Sequence, residues 1–233
     1  RIEAGVEKGI TSKQGLIAEG RGEAFDYLLG ERTIESADGA ARAAAALLLL
    51  ADRPVLSVNG NVAALVPGET VELAAAVDAD IEVNLFNRTD ERMNAIVGHL
   101  REHGAQDAGV EIKGLAADAR IPGLEHERSK VDADGIGAAD VVLVPLEDGD
   151  RAEALAEMGK SEIVIDLNPL SRSARAAAVP IVDNILRAVP NIADHAEALR
   201  GASREELEAI VADFDPEAAL SAAEDAIRSG DLE

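Results

Sequence analysis

Residues 141–172 read VVLVPLEDGDRAEALAEMGKSEIVIDLNPLSR, and their pattern decides the fold class. An apolar, β-branched run at 141–146 passes through a polar turn around Gly149 into a helical pattern at 150–158. A second apolar run follows at 163–167. Strand, helix and strand in about thirty residues make a βαβ unit, which sets the two strands parallel. Both runs are continuously apolar rather than alternating, as expected when helices cover both faces of a sheet.

The same alternation extends in both directions. Further strands are expected at 55–58, 81–86, 110–112 and 181–183, with helices at 35–51, 68–77, 88–103 and 185–199. The fold class is therefore α/β, a mostly parallel sheet with helices on both faces. Residues 1–30 read as a helical N-terminal segment interrupted by glycines. After Leu199 the pattern changes to two acidic helices at 203–213 and 216–229. Ser203 with Glu206 three residues on is a capping box, and Asp215 before Pro216 is a second helix start.

Composition narrows the function classes. Hydrophobic residues are 47% of the 233, enough for a packed core, and aromatic residues only 2%. The absence of cysteine removes disulfides, thiolate metal sites and a cysteine nucleophile. The longest apolar run, 43–51, is too short to span a bilayer, and no signal peptide is read, so a cytoplasmic protein is expected. Forty-five acidic residues against 22 basic give a net charge of −23, spread along the chain, with only five lysines. Such a chain repels nucleic acids and anionic lipids. The even spread fits adaptation to high salt, where screening shrinks to roughly 3 Å at 1 M.

In a parallel sheet, ligands gather at the carboxyl ends of the strands. Here five strand ends carry Asn, Asp or Arg: Ser57-Val58-Asn59-Gly60-Asn61; Asn84 with Asn87-Arg88-Thr89; Glu147 to Arg151; Asp166 to Arg172; and Asp183-Asn184. They are expected to form the rim of a polar cleft. Neither a Walker A pattern nor a Gly-x-Gly-x-x-Gly turn is present. Anion binding would fall instead to arginines in glycine- or asparagine-containing loops: Arg21, Arg88, Arg128, Arg151 and Arg172. Gly20-Arg21-Gly22 is read as a loop in which glycines let a ligand approach the backbone. His99, His103 and His195 read as structural. His126, between Glu125 and Glu127 and close to Arg128, is a candidate for binding or proton transfer. Glu147, Asp148, Asp150 and Asp166 suit a hard cation held jointly with phosphates, but no residue is assigned as a metal ligand.

Taken in order, Gly15-Leu16-Ile17-Ala18, residues 20–29, 57–61, 82–86, 121–128, 139–151, 165–172 and 181–190 resemble the archaeal phosphopantothenate synthetases. The resemblance implies a Rossmann-like fold, a homodimer, and an ATP- and Mg²⁺-dependent ligase of coenzyme A biosynthesis. Such an enzyme activates 4-phosphopantoate as an acyl-adenylate and transfers it to β-alanine, yielding 4'-phosphopantothenate, AMP and pyrophosphate. It implies ATP contacts at Arg21, Asp166, Leu167, Asn168, Arg172, Ser173, Asn184 and Ile185. Asn59, Arg88, His126 and Arg151 are expected at the phosphopantoate or the chemical step, with the 59–61 backbone offering N–H groups to an oxyanion. The resemblance also implies residues upstream of Arg1 that add an arginine to the ATP site. It leaves the two acidic helices outside the family pattern, so the ligase domain is expected at 1–200 and an acidic extension at 201–233. A non-catalytic nucleotide-binding module and a kinase or ligase for another small acid stand as alternatives.

Overall fold

A computed structural model describes residues 1–146 and 149–230. Six strands form one parallel sheet: β1 (Pro54–Val58), β2 (Asp80–Val83), β3 (Ile112–Lys113), β6 (Val141–Pro145), β7 (Ser161–Ile165) and β8 (Val179–Ile181). Their order is β3-β2-β1-β6-β7-β8, with every pairing parallel. The chain thus grows outward from β1 to one edge and then returns to grow the other way. That is the doubly wound Rossmann order, whose switch point lies between β1 and β6. β4 (Ala119–Arg120) and β5 (Lys130–Val131) form a separate antiparallel pair.

The period-two alternation of each strand divides the core. Leu56, Val58, Ile81, Val83, Leu143, Ile163 and Ile181 pack on one face against α3 (Glu35–Leu50), α5 (Pro67–Ala76), α6 (Asp90–Glu102) and α9 (Ile185–Leu199). Val55, Val142 and Val144 pack on the other against α7 (Gly149–Glu157) and the β4–β5 region. Because both faces are buried, the strands read as unbroken apolar runs. With few large aromatics, α3 fits closely through Ala40, Ala41, Ala44 and Ala45, all fully buried.

Several expected elements change on folding. The strands expected at 81–86 and 181–183 end at Val83 and Ile181, since the polar residues after them leave the ladder. The N-terminal segment forms α1 (Ile2–Glu7) and then one continuous helix, α2 (Lys13–Leu28), running through Gly15, Gly20 and Gly22. Gly20-Arg21-Gly22 is therefore helical and not a loop. Two short helices, α4 (Gly60–Leu65) and α8 (Arg172–Ala176), escaped the periodicity. α10 (Arg204–Asp213), with its capping box, lies on α3. α11 (Pro216–Ser229) contributes Ala223, Leu220 and Ile227 to a cluster with Leu29, Leu167 and Val182. No helix among the described residues is long and apolar enough to cross a membrane.

Two strand carboxylates are buried in the sheet, Glu82 in β2 and Glu162 in β7, and Glu82 ties the sheet to a loop. Glu82 accepts N–H bonds from Asp132 at 3.2 Å and Ile136 at 2.6 Å, pinning the loop that follows β5. Burial is the main cause that pushes its pKa up to about 7. The stability contributed by a raised carboxyl is full below its unfolded value of 4.5 and is lost as the pH rises through about 7. Glu82→Ala strands two buried donors, so it should cost about 2–5 kcal/mol. Urea unfolding of both proteins should show a larger cost near pH 5 than near pH 8.

Candidate active site

The site forms where the sheet reverses direction. Asn59 follows β1, and its Nδ2 donates to Pro145 O at 3.1 Å, joining the ends of β1 and β6. Its Oδ1 accepts from Asn61 N at 2.9 Å and Val62 N at 3.1 Å, capping α4. Of the 59–61 backbone expected to serve an oxyanion, the Asn61 N–H is thereby already engaged. Leu146 then turns left-handed with φ 55°, a conformation rare for a branched residue, and stops β6 at the same point.

α2 lies across these strand ends. Asn61 Nδ2 donates to Gly15 O at 3.0 Å, and Thr11 Oγ1 donates to Asn61 Oδ1 at 2.5 Å. A Cβ on Gly15 would stand 2.3 Å from both oxygens, so only glycine permits this approach. Further along the helix, Asn184 Nδ2 donates to Glu23 Oε1 at 3.0 Å and to Asp26 Oδ2 at 2.8 Å. Arg187 completes the anchor by donating to Asp26 and Asp183. Glu19 faces Asn61 and Glu23 on the same side; burial first, and then repulsion from Glu23, push its pKa up to about 6.

Two cavities open beneath α2. The larger, about 460 Å³, is bounded by the 11–15 turn, Asn59 to Asn61, Phe86, Arg92, Arg128 and Leu146. The smaller, about 290 Å³, is bounded by Arg21, Gly22, Phe25, Asp166 to Asn168 and Ser171. Ala18 and Leu146 line both, so the cavities meet at the switch point. Asp166 accepts from Asn168 N at 3.0 Å. Burial raises its pKa despite the opposing Ser171 hydrogen bond and the Arg21 charge.

Of the residues expected at ATP, Arg21, Asp166, Leu167 and Asn168 line the smaller cavity. Arg172, Ser173, Asn184 and Ile185 do not line it. Arg172 follows Ser171 and pairs with Asp150 at 2.7 Å; Ser173 is buried in α8. Asn184 caps α9 and anchors α2, while Ile185 belongs to the core. Of the other four, only Asn59 lines the larger cavity. Arg88 turns away to donate to Gly114 O at 2.5 Å. Arg151 is fully buried under the sheet and donates to Ser57 Oγ at 3.3 Å. His126 stands behind Phe86, ring centroids 5.4 Å apart, and both its ring nitrogens are buried without a partner among the described residues. Glu147 and Asp148 lie outside the described residues. Thr11 and Arg92 were not singled out in the sequence. Thr11 sits in a turn, and Arg92, in the first turn of a helix, resembles a solvated surface arginine.

A model of the phosphopantothenate/pantothenate synthetase family matches residues 36–230, a stretch that includes both C-terminal acidic helices. The chain is 60% identical over 221 residues to a protein of Thermococcus kodakarensis named 4-phosphopantoate–beta-alanine ligase, covering 95% of this chain and 84% of that one. It is 60% identical over 215 residues to the protein of that name in Thermococcus onnurineus, covering 92% and 81%. With the protein of that name in Methanosarcina mazei it is 54% identical over 223 residues, covering 96% and 86%.

The glycines of α2 separate close packing from mere tolerance. Gly15→Ala should cost about 1–3 kcal/mol by displacing Asn61 and Thr11. Gly20, with nothing within 4 Å of its would-be Cβ, should accept alanine. Gly20→Ala should gain about 0.5–1 kcal/mol of stability by helix propensity. Thermal unfolding of the two variants should therefore shift in opposite directions.

Proposed function

The chain belongs to the phosphopantothenate/pantothenate synthetase family, and from that premise we propose how its two cavities serve the reaction. The protein is an ATP-dependent 4-phosphopantoate–β-alanine ligase of coenzyme A biosynthesis. The observation that supports the division of labour is the junction at Ala18 and Leu146, where a ligand in one cavity meets a ligand in the other. In this reading ATP enters the smaller cavity and 4-phosphopantoate the larger. A carboxylate oxygen of the acid attacks the α-phosphorus, and pyrophosphate leaves. The free amine of β-alanine then attacks the acyl carbon; AMP departs, and the ammonium proton goes to solvent.

Arg21 offsets charge on the nucleotide, and Asp166 with Asn168 holds its other end at the tip of β7. Arg172 and Ser173 follow at the start of α8, where Arg172 would exchange its exposed Asp150 partner for a phosphate oxygen. Asn184 and Ile185 act by fixing α2 and the end of β8. Asn59 orients the acid at the switch point. Arg88, His126 and Arg151 support the larger cavity from behind, His126 through the Phe86 ring. Asp166 is the one carboxylate among the described residues lining the smaller cavity. This fits a Mg²⁺ ion carried in on the nucleotide's phosphates, where it would offset their charge, rather than one held in a protein cage.

The reading extends to the setting of the enzyme. Residues 1–200 carry the chemistry. The acidic segment from 201 buttresses α3 and, through α11, the Leu167 side of the nucleotide cavity. The protein works as a homodimer in a salt-rich cytoplasm, where molar salt screens its charge of −23. Ile17, Tyr27 and Leu28 on the outer side of α2 are 68%, 62% and 44% exposed, and this apolar surface suits a second copy.

Three experiments test these statements. With ATP, 4-phosphopantoate and β-alanine in high salt, AMP and 4'-phosphopantothenate should form in equal amounts; ADP would overturn the adenylate route. Asp166→Asn should raise the KM for ATP about tenfold and leave that for 4-phosphopantoate within about twofold. For the assembly, Ile17→Glu with Tyr27→Glu should convert a dimer to a monomer by light scattering, and an unchanged mass would refute the α2 interface.

A further inference from the structure

The larger cavity has the opposite electrostatic character to the protein around it. The chain carries 45 acidic side chains, yet among the described residues none lines this cavity, while two arginines, Arg92 and Arg128, do. Arg128 is held by Asn84, with Nε donating to Asn84 Oδ1 at 3.2 Å. Arg92 is held differently. Its Nη1 donates to Asn87 O at 2.6 Å and its Nη2 to Ile10 O at 3.1 Å, both neutral carbonyls.

Arg92 Nε is buried with no acceptor, and no carboxylate among the described residues pairs with this guanidinium. Arg172, Arg187, Arg200 and Arg204 all have carboxylate partners. Burial lowers the pKa of Arg92, and no ion pair offsets it. A guanidinium drawn partly out of water is costly unless an anion completes it. The fold also keeps space for it: a Cβ on Gly60 would stand 3.0 Å from Arg92 Nη2 and 2.6 Å from Ile10 O. The remaining polar groups of the cavity are neutral, chiefly the Thr11 hydroxyl and the Asn59 and Asn61 amides. A fork-shaped cation that lines a cavity without a carboxylate partner among the described residues, beside neutral hydrogen-bonding groups, suits a phosphate monoester.

We propose that Arg92 recognises the phosphate of the acid substrate and makes the enzyme select the phosphorylated acid over the free one. The proposal rests on the ligase reading and adds to it the residue that sets specificity. Phosphate in this protein also comes from the nucleotide, and kinetics distinguish the two sources.

The test uses the full chain with Arg92→Met and Arg92→Lys, each first checked for retained fold by circular dichroism. Rates are measured with 4-phosphopantoate and with pantoate, and binding of inorganic phosphate is followed by calorimetry. Arg92→Met should lower kcat/KM for 4-phosphopantoate about 10²–10³-fold and leave the slow reaction of pantoate nearly unchanged, so that discrimination collapses. The KM for ATP should stay within about twofold, and Arg92→Lys should recover part of the loss by restoring charge without the fork. Phosphate binding should weaken about tenfold or more in Arg92→Met. An equal loss for both acids would make Arg92 a structural clamp between Ile10 and Asn87, overturning the proposal. A rise confined to the KM for ATP would give the fork to the nucleotide and overturn it as well. If the wild type turned over neither acid, the ligase reading would fail, and the calorimetry alone would decide whether Arg92 binds phosphate.

Discussion

The amide of Asn59 joins the parts on which the site depends. Its oxygen starts α4 by accepting two backbone N–H groups, and its nitrogen bridges to Pro145 at the end of β6. A parallel sheet that reverses its winding leaves a gap beyond the carboxyl ends of its two central strands, because the connections on either side lead away from it. Asn59 spans that gap with one side chain. Because α4 starts at that point, Asn61 is held where it reaches Gly15 and Thr11, and so α2 is seated over the strand ends. The two cavities are the spaces left on either side of Ala18 under that helix. Site geometry therefore follows from short polar contacts at strand ends, while the apolar core beneath supplies stability.

Charge acts on two scales in this protein. At long range the net charge of −23 is spread along the whole chain, and dissolved salt screens such a charge beyond the Debye length. At short range no acidic side chain among the described residues lines the larger cavity, whereas Arg92 and Arg128 do. An anionic ligand in that cavity therefore meets guanidinium groups within a chain of strongly negative net charge.

The unbroken apolar runs at 141–146 and 163–167 made the parallel sheet legible, because covered strands need no polar face. Part of the expected rim lines the cavities, through Asn59, Asp166 and Asn168 at strand ends, while Arg21, expected in a loop, lines the smaller cavity from α2. What the sequence hid was tertiary. Gly15, Gly20 and Gly22 read as helix breakers, yet α2 is continuous, with Gly15 serving close approach. Arg92 carried no signal, because helical periodicity cannot tell a solvent-facing arginine from one that lines a cavity. Arg151 stood out beside a glycine turn, but α7 points it into the sheet toward Ser57. Short elements such as α4 and the β4–β5 pair are below the length at which periodicity carries information.

In the proposed reaction α2 brings acid and nucleotide together at the switch point before the amine is needed. Exchange of labelled pyrophosphate into ATP tests it most directly, because exchange requires reversible attack of the acid on the α-phosphorus. The enzyme should catalyse exchange with 4-phosphopantoate present and β-alanine absent, and none without the acid. Exchange that required β-alanine, or ADP and phosphate appearing in place of AMP and pyrophosphate, would contradict the account.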